Sequence, residues 1–419
     1  MLTLDAVVSF RSVPRILELF NVKTSLNLPW IPHFTSVINW ALRVGLGRLE
    51  QVQPVTRPWL AIIDHTINVG TKKAMVVLRV AVDALPKRGG AIQLKDVECI
   101  GLTVHETING DVIRDDLERI FTKAGAPLAI IKDDDSTLNN GACQWSGSQT
   151  KAVPVISDIG HSMANALKAE FEKSDDYKRF ITITSHAAKC LRQTVFAFLM
   201  PPKLRTKGRF QSISKLGKWG ERILEVFAVK GRAKNGSELE KLREVLPGLS
   251  RMRGFIERFA LTTKVTAEVL EILKNKGLSK VTYKQCFQLS RTLPRNSQVK
   301  KRLQDWLKKH FAIQKEVTEQ PLLVSSDIIE SLFGNFKHII ERSPQADMKR
   351  SVLLIPALCG GRNEAMIRQA LSVASQTDLE KWTEENIPDT LRRKRLEFFE
   401  NKRQKPVNSL TDKVSSSTA

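Results

Sequence analysis

The chain has 419 residues, with 66 Lys and Arg against 44 Asp and Glu, a net charge of +22. With 42% hydrophobic residues it can bury sizeable cores, which excludes wholesale disorder, and its charge excess favours a large polyanion as partner. No run of about 18 uncharged apolar residues exists, so no membrane-spanning helix is expected, and five scattered cysteines without a CxxC pair argue against a disulfide scaffold or a thiolate zinc site.

The N-terminus, MLTLDAVVSFRSVPR, carries Asp5 and lacks a long apolar core, so it does not read as a signal peptide. A reducing, cytoplasmic location is the expectation. Residues 1–50 read as small helices. Ser12 can cap one that carries Ile16, Leu17, Leu19 and Phe20, with Pro14 tolerated in its first turn. Thr35 or Ser36 can cap a second that carries Val37, Ile38, Trp40, Ala41 and Val44. With Arg11, Arg15, Arg43 and Arg48 outside, the pair suits a helix-turn-helix and equally an ordinary helical pair. QVQPVTRP (51–58) reads as a linker.

The period then changes. WLAIID (59–64), AMVVLRVAV (74–82) and KDVECIGLTVHE (95–106) read as three strands. Helical spacing follows over 110–124, with Gly125 as its stop. PLAIIKD (127–133) and VPVISD (153–158) are apolar runs ending in an acid, and HSMANALKAEFEK (161–173) is amphipathic. Three strands, helix, strand, strand, helix is the order of a mixed α/β sheet of the ribonuclease H-like kind, although pattern alone leaves several mixed folds open.

Residues 175–320 contain no alternating strand and read as helices over 219–230, 236–246, 250–261, 264–276 and 296–313. Within 201–320 there are 28 Lys and Arg against 11 Asp and Glu, so most of the excess charge lies here. Lys203, Arg205, Lys207 and Arg209 alternate and would share one side of an extended segment, which suits a phosphate backbone. Lys189 and Arg192 share a helix face by their i,i+3 spacing. Residues 321–340 return to an apolar start and a helix, and the last twenty residues read as a disordered tail.

Three acids occupy distinctive places: Asp64 and Asp133 at strand ends, and Glu330 on a helix far downstream. Carboxylates so placed can hold hard divalent cations, which prefer oxygen ligands and serve phosphoryl transfer without a nucleophilic side chain. An acid at a strand end can equally be a solvated turn residue. WLAIIDHTINVGTKK, LAIIKDDDSTLNNG, VPVISDIGHSMANALKAEF, LMPPKLRTKGRF and DIIESLFGNFK follow one another in an order that resembles DDE transposases of bacterial insertion-sequence type, from about residue 8 to about residue 370. The resemblance implies a ribonuclease H-like core in which Asp64, Asp133 and Glu330 bind two Mg²⁺ (or Mn²⁺), and a helical insertion before the last acid similar to that of hAT-type elements. Asp133 is chosen at the strand-end register, with Asp134 as its rival in the triplet Asp133–Asp135.

The resemblance also gives the Asp158-x-x-His161 unit a role near the scissile phosphate; the plainer reading is an N-cap and a first-turn residue. Lys337 follows Glu330 by seven residues, within about 20° of the same helix face, and is either a phosphate contact or a surface lysine. Trp219 either stacks on a base or fills a core. GHSMA (160–164) approaches the G-x-S-x-G elbow of α/β-hydrolases around Ser162, but Ala164 replaces its last glycine.

The expectation is therefore a DNA transposase that cleaves element ends and transfers them into target DNA. Its regions would be a helical DNA-binding part (1–50), a core in two pieces (56–174 and 321–375), a basic helical insertion that clamps DNA (175–320), and a C-terminal helix and tail (376–419). Double-stranded DNA and a second copy, as a dimer or larger synaptic complex, are the expected partners, and no membrane is. The alternative is a catalytically inactive, transposase-derived DNA-binding protein.

Overall fold

The computed structural model describes residues 1–25, 27–69, 72–204, 210, 213–227, 233–341, 350–387 and 399. Three helices, α1 (Leu2–Ala6), α2 (Ser12–Lys23) and α3 (Phe34–Glu50), precede a five-stranded sheet. β1 (Trp59–Val69), β2 (Lys72–Ala81) and β3 (Val97–His105) form an antiparallel meander, with the short helix α4 (Ala84–Arg88) between the last two. Helix α5 (Gly110–Ala124) then leads to β4 (Ile130–Lys132), α6 (Ser136–Ser148) to β5 (Val155–Ser157), and α7 (Ile159–Phe171) leaves the sheet. β4 and β5 add in parallel on the far side of β1, giving the order β3-β2-β1-β4-β5. The fold is α/β, with a ribonuclease H-like mixed sheet as its core.

The sheet is covered on both faces, which is why β1 reads as an unbroken apolar run. Ala61, Ile63, Met75, Val77 and Ile130 pack with α5 and α6. Leu60, Ile62, Val76, Leu78, Ile131 and Ile156 join the larger cluster on the other face.

One helix of the core is unexpected from sequence. α6 sits between β4 and β5, where the sequence order placed one strand directly after another. Its segment STLNNGACQWSGS is weakly patterned and holds two glycines, a poor helix composition. Gly141 is needed all the same: a Cβ there would lie 2.5 Å from the Ile113 side chain and 2.8 Å from the Gly110 carbonyl of α5.

The insertion comprises α8 (Asp175–Cys190), α9 (Ser214–Val226), α10 (Glu238–Val245), α11 (Arg253–Lys276), α12 (Lys280–Arg291) and α13 (Gln298–Val317). The two helices expected over 250–261 and 264–276 are one, α11. The polar break at Thr262–Thr263 is buried, and both hydroxyls bond back to helix carbonyls, Arg258 and Ala260. α12 was not expected either; Ser279 and Thr282 close a capping box at its start.

The chain then returns to the core with α14 (Asp327–Glu341), which packs on β1, followed by α15 (Leu354–Leu358), α16 (Glu364–Val373) and α17 (Gln376–Asn386). α3 is seated on this last portion. Arg43 and Arg48, expected outside, turn inward. Arg43 donates to the Leu371 and Ala374 carbonyls at 2.8 and 2.7 Å, and Arg48 to the Gly361 carbonyl at 2.5 Å. The Arg43 acceptors are the orphan carbonyls at the end of α16, where the helix dipole favours a cation. Arg11 and Arg15 are exposed, as expected. No helix among the described residues is long and apolar enough to cross a membrane.

Candidate functional site

The sheet register brings the first two acids together. Ile63 on β1 pairs with Lys132, the last residue of β4, so Asp64 and Asp133 each follow one residue after this pair. Asp133 stands just past the end of β4, whereas Asp64, expected at a strand end, lies within β1, which runs on to Val69. Ile62 lies on the face that α14 covers, and side-chain alternation along β1 puts Asp64 on that face too. Asp64 is buried, with its Oδ1 accepting from the His65 amide at 2.6 Å. Directly after it, β1 slips against β2 between Asp64 and Ile67, an irregularity of the kind that re-aims side chains beside active sites.

The acid triplet divides its work. Asp135 caps α6, accepting from Thr137 N at 2.8 Å and Leu138 N at 3.1 Å, and meets His65 Nε2 at 3.3 Å. The Asp134 carboxylate is taken by α7, accepting from Ser162 Oγ at 3.2 Å and Asn165 Nδ2 at 3.0 Å. Asp133 is half-buried, and its Oδ1 accepts from the Asp135 amide at 2.9 Å. Ser162 thus sits in the first turn of α7 bonded to an acid; among the described residues no histidine bonds to it, and the hydrolase reading loses its general base.

Glu330 lies in the first turn of α14 with its side chain 44% exposed. The entry to that helix is pinned to the end of β5. Buried Asp158 caps α7 through its Oδ2, which accepts from the His161 amide at 2.7 Å, while its Oδ1 accepts from the Ser326 amide at 2.7 Å. The Ile159 amide donates to the Val324 carbonyl at 3.1 Å, and Lys274 of α11 pairs with Asp327. Asp158 therefore acts as the plainer reading had it, as a cap, and also as a staple for the helix that carries Glu330. Ser326 and Asn165 were not singled out in the sequence, and Ser162 was noted only for its likeness to a hydrolase elbow; a bond to an acid far away in the chain has no local signature.

His161 links the two acids, with Nδ1 3.1 Å from Asp158 Oδ2 and Nε2 3.4 Å from Glu330 Oε1. Burial of the ring works against its charge, but the Asp158 hydrogen bond and charge outweigh it, with help from Glu330 and Asp133, and the pKa rises from 6.5 to about 9. The folded value lies above the unfolded one. The stabilisation is thus complete below about pH 6.5 and lost as pH rises through about 9, a change of up to roughly 3 kcal/mol. Metal-free protein, kept in a chelator, is expected to melt progressively lower over that window, and His161→Ala to flatten the slope. An unchanged slope in the variant would remove His161 from this role.

The donor set of Asp64, Asp133 and Glu330 is all carboxylate oxygen, which fits Mg²⁺ or Mn²⁺ and not a soft ion. Among the described residues no three Asp, Glu, His or Cys groups stand close enough to hold one ion, so the acids do not form a closed cage.

The other expected residues are more dispersed. Lys337 is exposed two turns beyond Glu330. Lys203 is exposed, while Arg205, Lys207 and Arg209 lie outside the described residues. Lys189 and Arg192 are both exposed but do not share a helix face, because α8 ends at Cys190 and Arg192 falls in the turn that follows. Trp219 is a core residue: it is buried against Phe180, and its indole N–H donates to the Leu199 carbonyl at 2.8 Å.

No protein-family model matches the chain, and no curated protein does. Among solved structures it is similar to the Drosophila P element transposase strand transfer complex, at 12% sequence identity over 87% of this chain and 90% of that chain, with a TM-score of 0.43.

Proposed function

We propose that the chain is a DDE transposase of bacterial insertion-sequence type, which cleaves double-stranded DNA at element ends and transfers the freed ends into target DNA. The observation that carries this reading is that Asp64 and Asp133 directly follow the paired residues Ile63 and Lys132 of two adjacent parallel strands, with the helix of Glu330 packed on β1. The motif order described above and the basic insertion support it. Asp64, Asp133 and Glu330 would hold two Mg²⁺ or Mn²⁺ ions. Such ions supply an activated water or 3′-hydroxyl and stabilise the leaving oxygen. Asp158 keeps α14 against the end of β5, and protonated His161 holds Glu330 from the other side. Two ends must meet, so the working form is a dimer or larger synaptic complex. The bacterial cytoplasm is its proposed location.

The test is strand cleavage of duplex DNA that carries the gene's own flanking sequence. Wild type with Mg²⁺ or Mn²⁺ is expected to nick or cut at the element ends. Chelator, or Asp64→Ala, is expected to stop it. Equal cleavage by wild type and Asp64→Ala would sink the metal-site reading. The second reading, a transposase-derived protein that binds DNA without cutting it, draws on the absence of a closed acidic cage among the described residues. Binding without metal-dependent cleavage by wild type would favour it.

A further inference from the structure

We propose that α13, the last helix of the insertion, is a track for the phosphate backbone of duplex DNA at the acidic end of the sheet, with Arg302 and Lys309 as its contacts nearest the acids. The inference rests on the DNA reading above and adds a surface that neither the motifs nor the alternating basic segment at 203–209 pointed to.

α13 is held at that end by buried polar bonds. The Trp306 indole N–H donates to the Ser157 carbonyl at 3.2 Å, and the Ser157 amide donates to His310 Nε2 at 3.2 Å. His310 Nδ1 in turn donates to the Trp306 carbonyl at 2.8 Å, with its ring stacked 4.1 Å from the indole. At the start of the helix, Glu170 of α7 accepts from Ser297 Oγ at 2.7 Å and from the Val299 amide at 2.8 Å. Ser157 is the last residue of β5, paired with Lys132, so these bonds fix α13 one residue from the row formed by Asp64, Asp133 and Asp158.

What α13 shows to solvent follows from that seating. Arg302 and Lys309 are seven residues apart, within about 20° of one face and about 10 Å along the axis, the axial rise of roughly three nucleotides of one strand. Both are exposed. Arg302 Nη1 donates to the Asn165 carbonyl at 3.4 Å, and the Asn165 amide donates to Asp134, so the guanidinium stands one residue from the acid triplet. Burial, with a smaller contribution from the nearby Lys309, lowers the pKa of both Lys132 and His310. Among the described residues Lys309 has no ion-pair partner. The helix as a whole carries six Lys and Arg against Asp305 and Glu316. Exposed Asp305 stands between Arg302 and Lys309 on that face, yet the helix keeps an excess of four positive charges beside the acids, a surface a nucleic-acid backbone neutralises.

The experiment is fluorescence anisotropy with a labelled duplex in chelator, so that binding is read without catalysis, across a KCl series. Arg302→Gln/Lys309→Gln is compared with wild type and with Lys381→Gln, a cation paired with Glu385 on α17. The double variant is expected to bind on the order of tenfold more weakly at 0.1 M salt, with the slope of log K against log salt shallower by about two. Its melting temperature should be unchanged because both side chains are exposed, and Lys381→Gln should match wild type. A double variant with the wild-type slope, tested against wild type that binds in a steeply salt-dependent way, would overturn the track. Wild type that fails to bind duplex at all would instead overturn the DNA reading on which it rests.

Discussion

Asp133→Asn will reduce metal-dependent strand cleavage by about a thousandfold or more, while Asp134→Asn will leave it within roughly fivefold of wild type. The two residues are neighbours of identical chemistry, so the contrast tests geometry alone. Asp133 directly follows Lys132, the β4 residue paired with Ile63 next to Asp64, whereas Asp134 is occupied by Ser162 and Asn165 of α7. In the proposed site, removing one carboxylate would remove several kcal/mol of charge stabilisation at the reacting phosphate, and each 1.36 kcal/mol is about tenfold in rate. An asparagine at 134 still offers an oxygen to Ser162 and Asn165, so α7 stays in place. A steady-state cleavage assay on the flanking-sequence duplex reads both variants. The opposite ranking would move the second ligand to Asp134.

That contrast also shows what the sequence could and could not carry. WLAIID and PLAIIKD, each an apolar run ending in an acid, were readable because a strand buried on both faces leaves a continuous apolar signature, but the first charge did not mark where β1 ends: the strand runs five residues past Asp64, to Val69. The strand order followed from the change of period. The slip of β1 against β2 beyond Asp64 was not readable, since it depends on how two strands pair and not on either one alone.

The helices divide in the same way. α5 declared itself through its apolar spacing and its Gly125 stop. α6 did not, because its Gly141 serves a close approach to α5 that only the packed structure reveals. Arg43 and Arg48 were misplaced for a related reason. An arginine on an amphipathic helix is ordinarily outside, and the carbonyls that draw these two inward belong to residues more than 300 positions further along the chain. Trp219 had two readings, and burial with a satisfied indole N–H favours the core.

The second large effect lies far from the acids in the sequence. Gly45→Ala will destabilise the chain by about 3 kcal/mol or more. In an isolated helix the change should stabilise, since alanine is about 1 kcal/mol better than glycine in a helix interior. In the folded chain a Cβ at Gly45 would lie 1.8 Å from the Leu353 carbonyl oxygen and 2.8 Å from its carbon. Two residues on, a Cβ at Gly47 would lie 2.1 Å from the Ala370 carbonyl oxygen. The obstacles are main-chain atoms, which cannot swing aside as a flexible side chain can, so α3 must lift from α15 and α16. Doing so strains the inward bonds of Arg43 and Arg48 and uncovers Leu42 and Leu46, each 1% exposed. Overpacking of this kind typically costs 1–3 kcal/mol and more when backbone is in the way. Gly90→Ala is the control, since nothing lies within 4 Å of its Cβ position, and it should stay within about 0.5 kcal/mol. Urea titration of the full chain measures both. Because α15 also packs on α14, the helix that carries Glu330, Gly45→Ala should lower cleavage as well, although it touches none of the acids. A variant as stable as wild type would show that α3 is not held on the core by this close contact.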